Sequence, residues 1–200
     1  MKYRGFAIAL LMVLLVVAGC SQQTDKTAQN NETASSTQAG SSMTAAGNED
    51  AKATKAAGLL PLDQAPMAPE WTLPQVDGSN LTLSEHRGKV IILDFWDTWC
   101  PPCKREIPGF IELQKQYGDE GLVVIGAAFG RDGQGAVNQF VKEWGINYPI
   151  VLANSQVNRQ YGGINSIPTT FVIDREGRAR AKHVGYVAKE VFEQQIKALL

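Results

Sequence analysis

Cysteine is scarce in this sequence, with three in 200 residues: Cys20, Cys100 and Cys103. That is too few for a disulfide-stapled scaffold, and the odd count leaves one sulfur to be explained. Histidine is scarcer, and neither His86 nor His183 stands in ligand spacing with the cysteines, which argues against a zinc site. No sign of charge dominates: 19 Lys and Arg face 20 Asp and Glu, for a net charge of −1. A basic nucleic-acid footprint is therefore missing, and no nucleic-acid partner is expected. No flavin or nicotinamide fingerprint is present, so no cofactor is expected. Between Phe6 and Trp71 there is no aromatic residue at all, which leaves that stretch without core material. No apolar run reaches the roughly 18 residues expected of a membrane-spanning helix.

What is present divides the chain in three. Lys2 and Arg4 precede the apolar run Phe6–Ala18, which exits through Val17-Ala18-Gly19-Cys20. A basic start, a short apolar stretch and small residues at its end describe an export signal. The exit also resembles a bacterial lipobox, which implies cleavage before Cys20 and lipidation of its sulfur. Residues 1–19 are then the signal, and loss of Lys2 and Arg4 leaves 17 basic against 20 acidic residues, a mature charge of −3. Acyl chains would supply the membrane anchor. From Ser21 to Gly58, 30 of 38 residues are Ala, Ser, Thr, Asn, Gln or Gly, and Met43 is the only large apolar side chain. Such composition does not offset the entropy of ordering, so 20–58 reads as a lipidated cysteine with a flexible tether, roughly 35 Å end to end. A helical arm through Asp50–Ala57 is the competing reading.

Residues 59–200 carry one core. Trp71–Val76 and Leu81–Leu83 flank a turn and predict a hairpin. The near-continuous apolar runs Lys89–Trp96 and Leu122–Phe129 predict strands covered on both faces. Helices are expected over 103–117, over Ala136–Trp144 with Val137, Phe140, Val141 and Trp144 inward, over Gln156–Tyr161, and at the C-terminus with Val191, Phe192, Ile196 and Leu199 inward. Short strands are expected at Pro149–Leu152, Thr169–Asp174 and Arg178–Tyr186. The alternation predicts an α/β fold with a mixed central sheet and helices on both faces.

The chemistry concentrates at Trp99-Cys100-Pro101-Pro102-Cys103, where the first long strand gives way to a helix. Cysteines three apart at a helix start lie within one turn, near enough to form a disulfide. At the helix N-terminus, unpaired amides and the dipole favour a thiolate, which makes Cys100 the attacking sulfur. Cys103, one turn in, would resolve the mixed disulfide. Pro101 and Pro102 suit a first turn, where a missing N–H costs nothing. Trp99 would shield the pair and shape the approach of a partner.

WCPPC after a DFW strand, Pro108, Ile167-Pro168-Thr169 before a strand and Gly185 before the last helix resemble the thioredoxin superfamily over about 68–200. The added helix and strand in Ala136–Asn154, the hairpin and the lipidated tether resemble the TlpA/ResA-like membrane-bound thiol-disulfide oxidoreductases. The resemblance implies a thioredoxin-like fold with an N-terminal hairpin and an inserted helix-strand unit. It implies a redox-active Cys100–Cys103 disulfide, and a cis Ile167–Pro168 bond whose neighbouring backbone receives a peptide. It also singles out two acids. Asp94 sits where thioredoxins keep a buried acid behind the resolving cysteine, and Glu106 matches the ResA-like glutamate that serves the same thiol. Pro108 would kink the active-site helix; Lys104, Arg105 and His183 read as ordinary, and Asp97 and Thr98 as loop-shaping.

The expected function is extracytoplasmic thiol-disulfide exchange at a bacterial membrane, reducing disulfides in partners such as apocytochrome c or copper-site proteins. Electrons would come from a membrane thiol donor. Two other readings remain: a copper-binding thioredoxin-fold module, since soft thiolates suit Cu(I), and a peroxiredoxin-like peroxidase, although Cys100 lacks a Pro-x-x-x-Thr-x-x-Cys loop.

Overall fold

The computed structural model describes residues 52–200. The expectations for the signal peptide, for Cys20 and for most of the tether lie outside the described residues. The tether was expected to end at 58, but residues 52–56 form a helical turn, and Ala57 O already accepts from Gln195 Nε2 at 3.1 Å. Leu59 is buried in the main core.

Two short strands, β1 (Thr72–Pro74) and β2 (Asn80–Thr82), make the expected antiparallel hairpin. Then come β3 (Val90–Trp96), α1 (Pro101–Tyr117), β4 (Leu122–Ala128), α2 (Gln134–Trp144), β5 (Ile150–Leu152), α3 (Ser155–Gln160), β6 (Thr169–Ile173), β7 (Ala179–Val184) and α4 (Lys189–Lys197). The central sheet has the order β5-β4-β3-β6-β7. Its β3–β4 and β4–β5 pairs are parallel, whereas β6 and β7 join antiparallel. The sheet is therefore mixed, as the apolar runs and the final hairpin predict.

Every residue of β3 and of β4 is buried, because both faces of the sheet are covered. Alternate residues supply two cores. Val90, Ile92 and Trp96 face a core built with Ile107 and Phe110 of α1, Val137 and Phe140 of α2, and Phe192 and Ile196 of α4. Ile91, Leu93 and Phe95 face the other, with the hairpin's Leu73 and Leu81 and with Val157 at α3. One glycine is demanded by packing. A Cβ on Gly126 would stand 2.5 Å from Ile150 Cδ1 and 2.8 Å from Trp96 Nε1.

Two inward assignments fail. Trp144 is partly exposed and stacks on Phe140, with centroids 4.8 Å apart. Val191 is also partly exposed, and the inward position on α4 is instead held by Gln195. Helical period gives the direction of an apolar face; it does not say where that face runs out. Residues 134–152 put the inserted helix beside the active-site helix and the inserted strand on the sheet edge.

Candidate active site

The end of β3 delivers the chain into α1 through 97–100, and Cys100 is the N-cap of that helix. Cys100 and Cys103 are joined by a disulfide, with S–S 2.04 Å and Cα atoms 5.3 Å apart. Cys100 Sγ accepts the Cys103 N–H at 3.3 Å, so the sulfur takes the capping place that a Ser or Asp oxygen usually fills. Pro101 and Pro102 occupy the first two helical positions as expected, and α1 runs on through Pro108 without interruption. Cys103 is fully buried and Cys100 is only 2% exposed. The difference expected between an open and a shielded sulfur is thus small in the oxidised form.

The Ile167–Pro168 bond is cis. Ile167 O lies 3.7 Å from Cys100 Sγ, which places this segment directly against the dithiol. On its other side, Pro168 O accepts the Gly185 N–H at 2.8 Å. Trp99, by contrast, is 46% exposed and stands on the rim beside the pair.

Asp94 and Glu106 come from different elements and stand near enough for the charge of Glu106 to act on Asp94. Asp94, in the middle of β3, is 2% exposed, and its Oδ1 accepts from Thr170 Oγ1 at 3.1 Å. Burial pushes its carboxyl well above the usual carboxylate range; the charge of Glu106 adds to this and the Thr170 bond opposes it. Glu106, one turn beyond Cys103, is 4% exposed, which excludes a plain surface residue. Its Oε1 accepts the Val187 N–H at 2.6 Å, while its buried Oε2 has no partner. Burial raises its carboxyl to about 7, against the opposing effects of the Val187 N–H and Arg105.

One member of this neighbourhood carries no signal that the sequence exposes, and Asp97 shapes the loop as expected. Tyr148 is buried, and its phenol is pushed well above 10 by burial and then by the charges of Asp94 and Glu106. In the sequence it looks like any core aromatic before a short strand. Asp97 is fully buried, its Oδ1 accepting the Thr98 N–H at 2.8 Å and its Oδ2 the Arg131 N–H at 3.1 Å. It ties the segment before Cys100 to the loop after β4. Neither Lys104 nor Arg105 is simply solvated: Lys104 Nζ sits 5.6 Å over the Phe140 ring, and the Arg105 guanidinium 4.6 Å over that of Tyr186. His183 is half-buried and hydrogen-bonded to Gln195 Oε1 at 3.0 Å. Among the described residues no group of three or more His, Cys, Asp and Glu is placed to hold a metal ion.

A disulfide at a helix N-terminus, a cis-proline segment against it and two buried carboxyls without ion pairs invite comparison with known proteins. Residues 65–182 match the AhpC/TSA family. The chain belongs to that family. Among its relatives is the thiol-disulfide oxidoreductase ResA of Geobacillus thermodenitrificans, 34% identical over 133 residues, which span 66% of this chain and 75% of that one. Another is the thioredoxin-like protein YneN of Bacillus subtilis, 30% identical over 68% of this chain and 79% of that protein. A thiol:disulfide interchange protein of the thioredoxin family from Chlorobium tepidum superposes with a TM-score of 0.64 at 33% identity, covering 68% of this chain and 97% of that one. The AhpC/TSA fold here is thioredoxin-like, the chain is ResA-like, and with its Cys100–Cys103 pair it is a thiol-disulfide oxidoreductase.

Proposed function

We propose that this oxidoreductase works as a reductase of disulfides in partner proteins, outside the cytoplasm, tethered through a lipid on Cys20. The observation that carries the direction of transfer is the pair of buried carboxyls Asp94 and Glu106, which form no ion pair and whose burial outweighs the nearby Arg105 charge. A reductant must deprotonate its second thiol in a place that water does not reach, and a carboxyl titrating near 7 is suited to that.

In the reduced protein the Cys100 thiolate attacks one sulfur of the partner disulfide and expels the partner's other sulfur as a thiolate. Cys103 then loses its proton to Glu106, or to Asp94 through the shared enclosure, and attacks the Cys100 sulfur. That bond becomes the Cys100–Cys103 disulfide, and the partner leaves with a second thiolate. Two electrons have passed to the partner. Ile167, at the cis bond, offers the backbone against which the partner segment lies, and Trp99 borders its path. Regeneration requires a dithiol donor, which at a membrane is a thiol carrier embedded there. Partners of the apocytochrome c or copper-site type, whose cysteines must be reduced before use, fit this chemistry. Among the described residues no helix is long and apolar enough to cross a membrane; in this reading the lipid on Cys20 supplies the attachment.

The equilibrium reduction potential tests the direction. It should fall near the −270 mV of a thioredoxin, whereas a value near the −120 mV of a strong oxidant contradicts the proposal. Trapping identifies the partner: Cys103→Ser in the native cell should accumulate mixed disulfides through Cys100.

A further inference from the structure

Two arginines beside the dithiol are each held by an aromatic ring. The Arg131 guanidinium lies 5.2 Å over the Trp99 ring and that of Arg105 lies 4.6 Å over Tyr186. Among the described residues neither forms an ion pair, although other cations do: Arg180 with Asp174, Lys189 with Glu112, Lys197 with Glu193. Of the acids nearby, Asp132 is engaged by the Thr98 hydroxyl at 3.1 Å and Glu112 by Lys189, while the buried Glu106 feels the Arg105 charge without forming an ion pair with it. A guanidinium lying over a ring keeps its planar fork of N–H donors free at the edge, the arrangement that receives a carboxylate in two parallel hydrogen bonds.

Their placement brackets the reacting sulfurs. Trp99 immediately precedes Cys100. Tyr186 lies between Gly185, whose N–H holds Pro168 O, and Val187, whose N–H holds Glu106. One pair therefore stands on the β4–α2 side of the Cys100–Ile167 contact, and the other on the β7–α4 side. The rim is also unusually apolar for a surface, with Trp99 at 46%, Tyr186 at 47% and Val184 at 61% exposure. Arg131, Trp99 and Ile167 further line a groove of about 480 Å³, together with Phe129, Ile164 and Asn165. A groove of that size beside the disulfide holds side chains of a polypeptide, which a small disulfide does not have.

We propose that this rim selects protein cysteines flanked by acidic side chains, one carboxylate reaching Arg131 and a second, on the other flank, reaching Arg105. The inference rests on the reductase reading and names the class of its substrate. It also runs against the overall charge. A mature chain of 17 basic and 20 acidic residues would by long-range attraction favour basic partners. The two local forks predict the opposite preference.

The test uses the reduced full-length protein and three disulfide peptides that differ only in carrying Glu, Gln or Lys on either side of the cysteines. Second-order reduction rates should rank Glu over Gln over Lys, with about three- to fivefold per carboxylate, the scale of a well-formed exposed ion pair. The Glu-to-Gln ratio is read within each variant, so any change in the Cys100 thiolate cancels. Arg131→Gln and Arg105→Gln should each abolish the preference at one flank, the double variant at both, and added salt should shrink it in the wild type. Equal rates for the Glu and Gln peptides, or a preference that survives in the double variant, overturn the inference. If the Gln peptide is reduced while Glu shows no advantage, the reductase reading stands without it. If none of the three is reduced, both fall.

Discussion

The sheet buries acidic side chains near both of its ends, and treats them in opposite ways. Asp174, just past β6, is neutralised: Arg180 donates to its Oδ2 at 3.1 Å and the Arg178 N–H to its Oδ1 at 2.8 Å, with both side chains of the pair almost wholly enclosed. Asp94 and Glu106, at the other end, are buried as deeply and form no ion pair; each accepts one hydrogen bond, Glu106 Oε2 has no partner, and the Arg105 charge offsets the burial of Glu106 only in part. Burying charge is tolerated where it is paired and hydrogen-bonded. An unpaired buried carboxyl instead keeps its proton to higher pH, and so can exchange that proton near neutrality. The Asp174 end holds its charge fixed, whereas the Asp94 end holds protons of the kind the proposed resolution step uses.

The strongest attack on this contrast is to break the structural pair. Asp174→Asn leaves Arg180 charged and unmatched, and should cost about 3–5 kcal/mol in chemical denaturation while the folded fraction exchanges disulfides as before. A loss below 1 kcal/mol would mean that the two ends are not so different. The next effect belongs to pH. Glu106 ionises near 7 when folded and near 4.5 when unfolded, so the native state holds an extra proton between those values. Stability is therefore full below about 4.5 and declines as pH rises through about 7, by up to roughly 3 kcal/mol. Asp94, raised in the same direction, adds to the decline. In Glu106→Gln the fall across this window should shrink visibly in thermal melts of the oxidised protein; an unchanged fall contradicts the assignment. A smaller effect sharpens the picture at the loop. Asp97→Ala strands the N–H groups of Thr98 and Arg131 and should cost about 1–3 kcal/mol. It should also loosen the segment carrying Trp99, seen as faster amide exchange at 98–99 and 131.

How much of this the sequence discloses depends on whether the signal is local. The β3 run, the WCPPC helix start and the Ile167-Pro168 segment are legible because residue type alone constrains backbone there, and all three stand where expected. Asp94 is legible as a buried acid because it alternates between Leu93 and Phe95 in an apolar strand. Glu106 is legible only as a candidate: on a helix surface its burial depends on the loop at Val187, which is 81 residues away. Tyr148, Arg105 and Arg131 show nothing in one dimension, because what distinguishes each is a partner brought by another element; Asp97 shows its place in the loop but not the Arg131 N–H it holds. Trp144 and Val191 mislead for the same reason, since the neighbour that would cover them is not written in their own helix.

The central claim is that the buried carboxyls take the proton from Cys103, and the resolution step measures it directly. A mixed disulfide between Cys100 and a peptide thiol is prepared, and the rate of peptide release by Cys103 is followed from pH 5 to 9. The rate should rise through an inflection near 7 as Glu106 ionises. In Glu106→Gln it should fall about 10- to 100-fold at pH 7, with the inflection moving toward the ordinary thiol range near 8.5. The same inflection near 7 at an undiminished rate in both Glu106→Gln and Asp94→Asn would contradict the account.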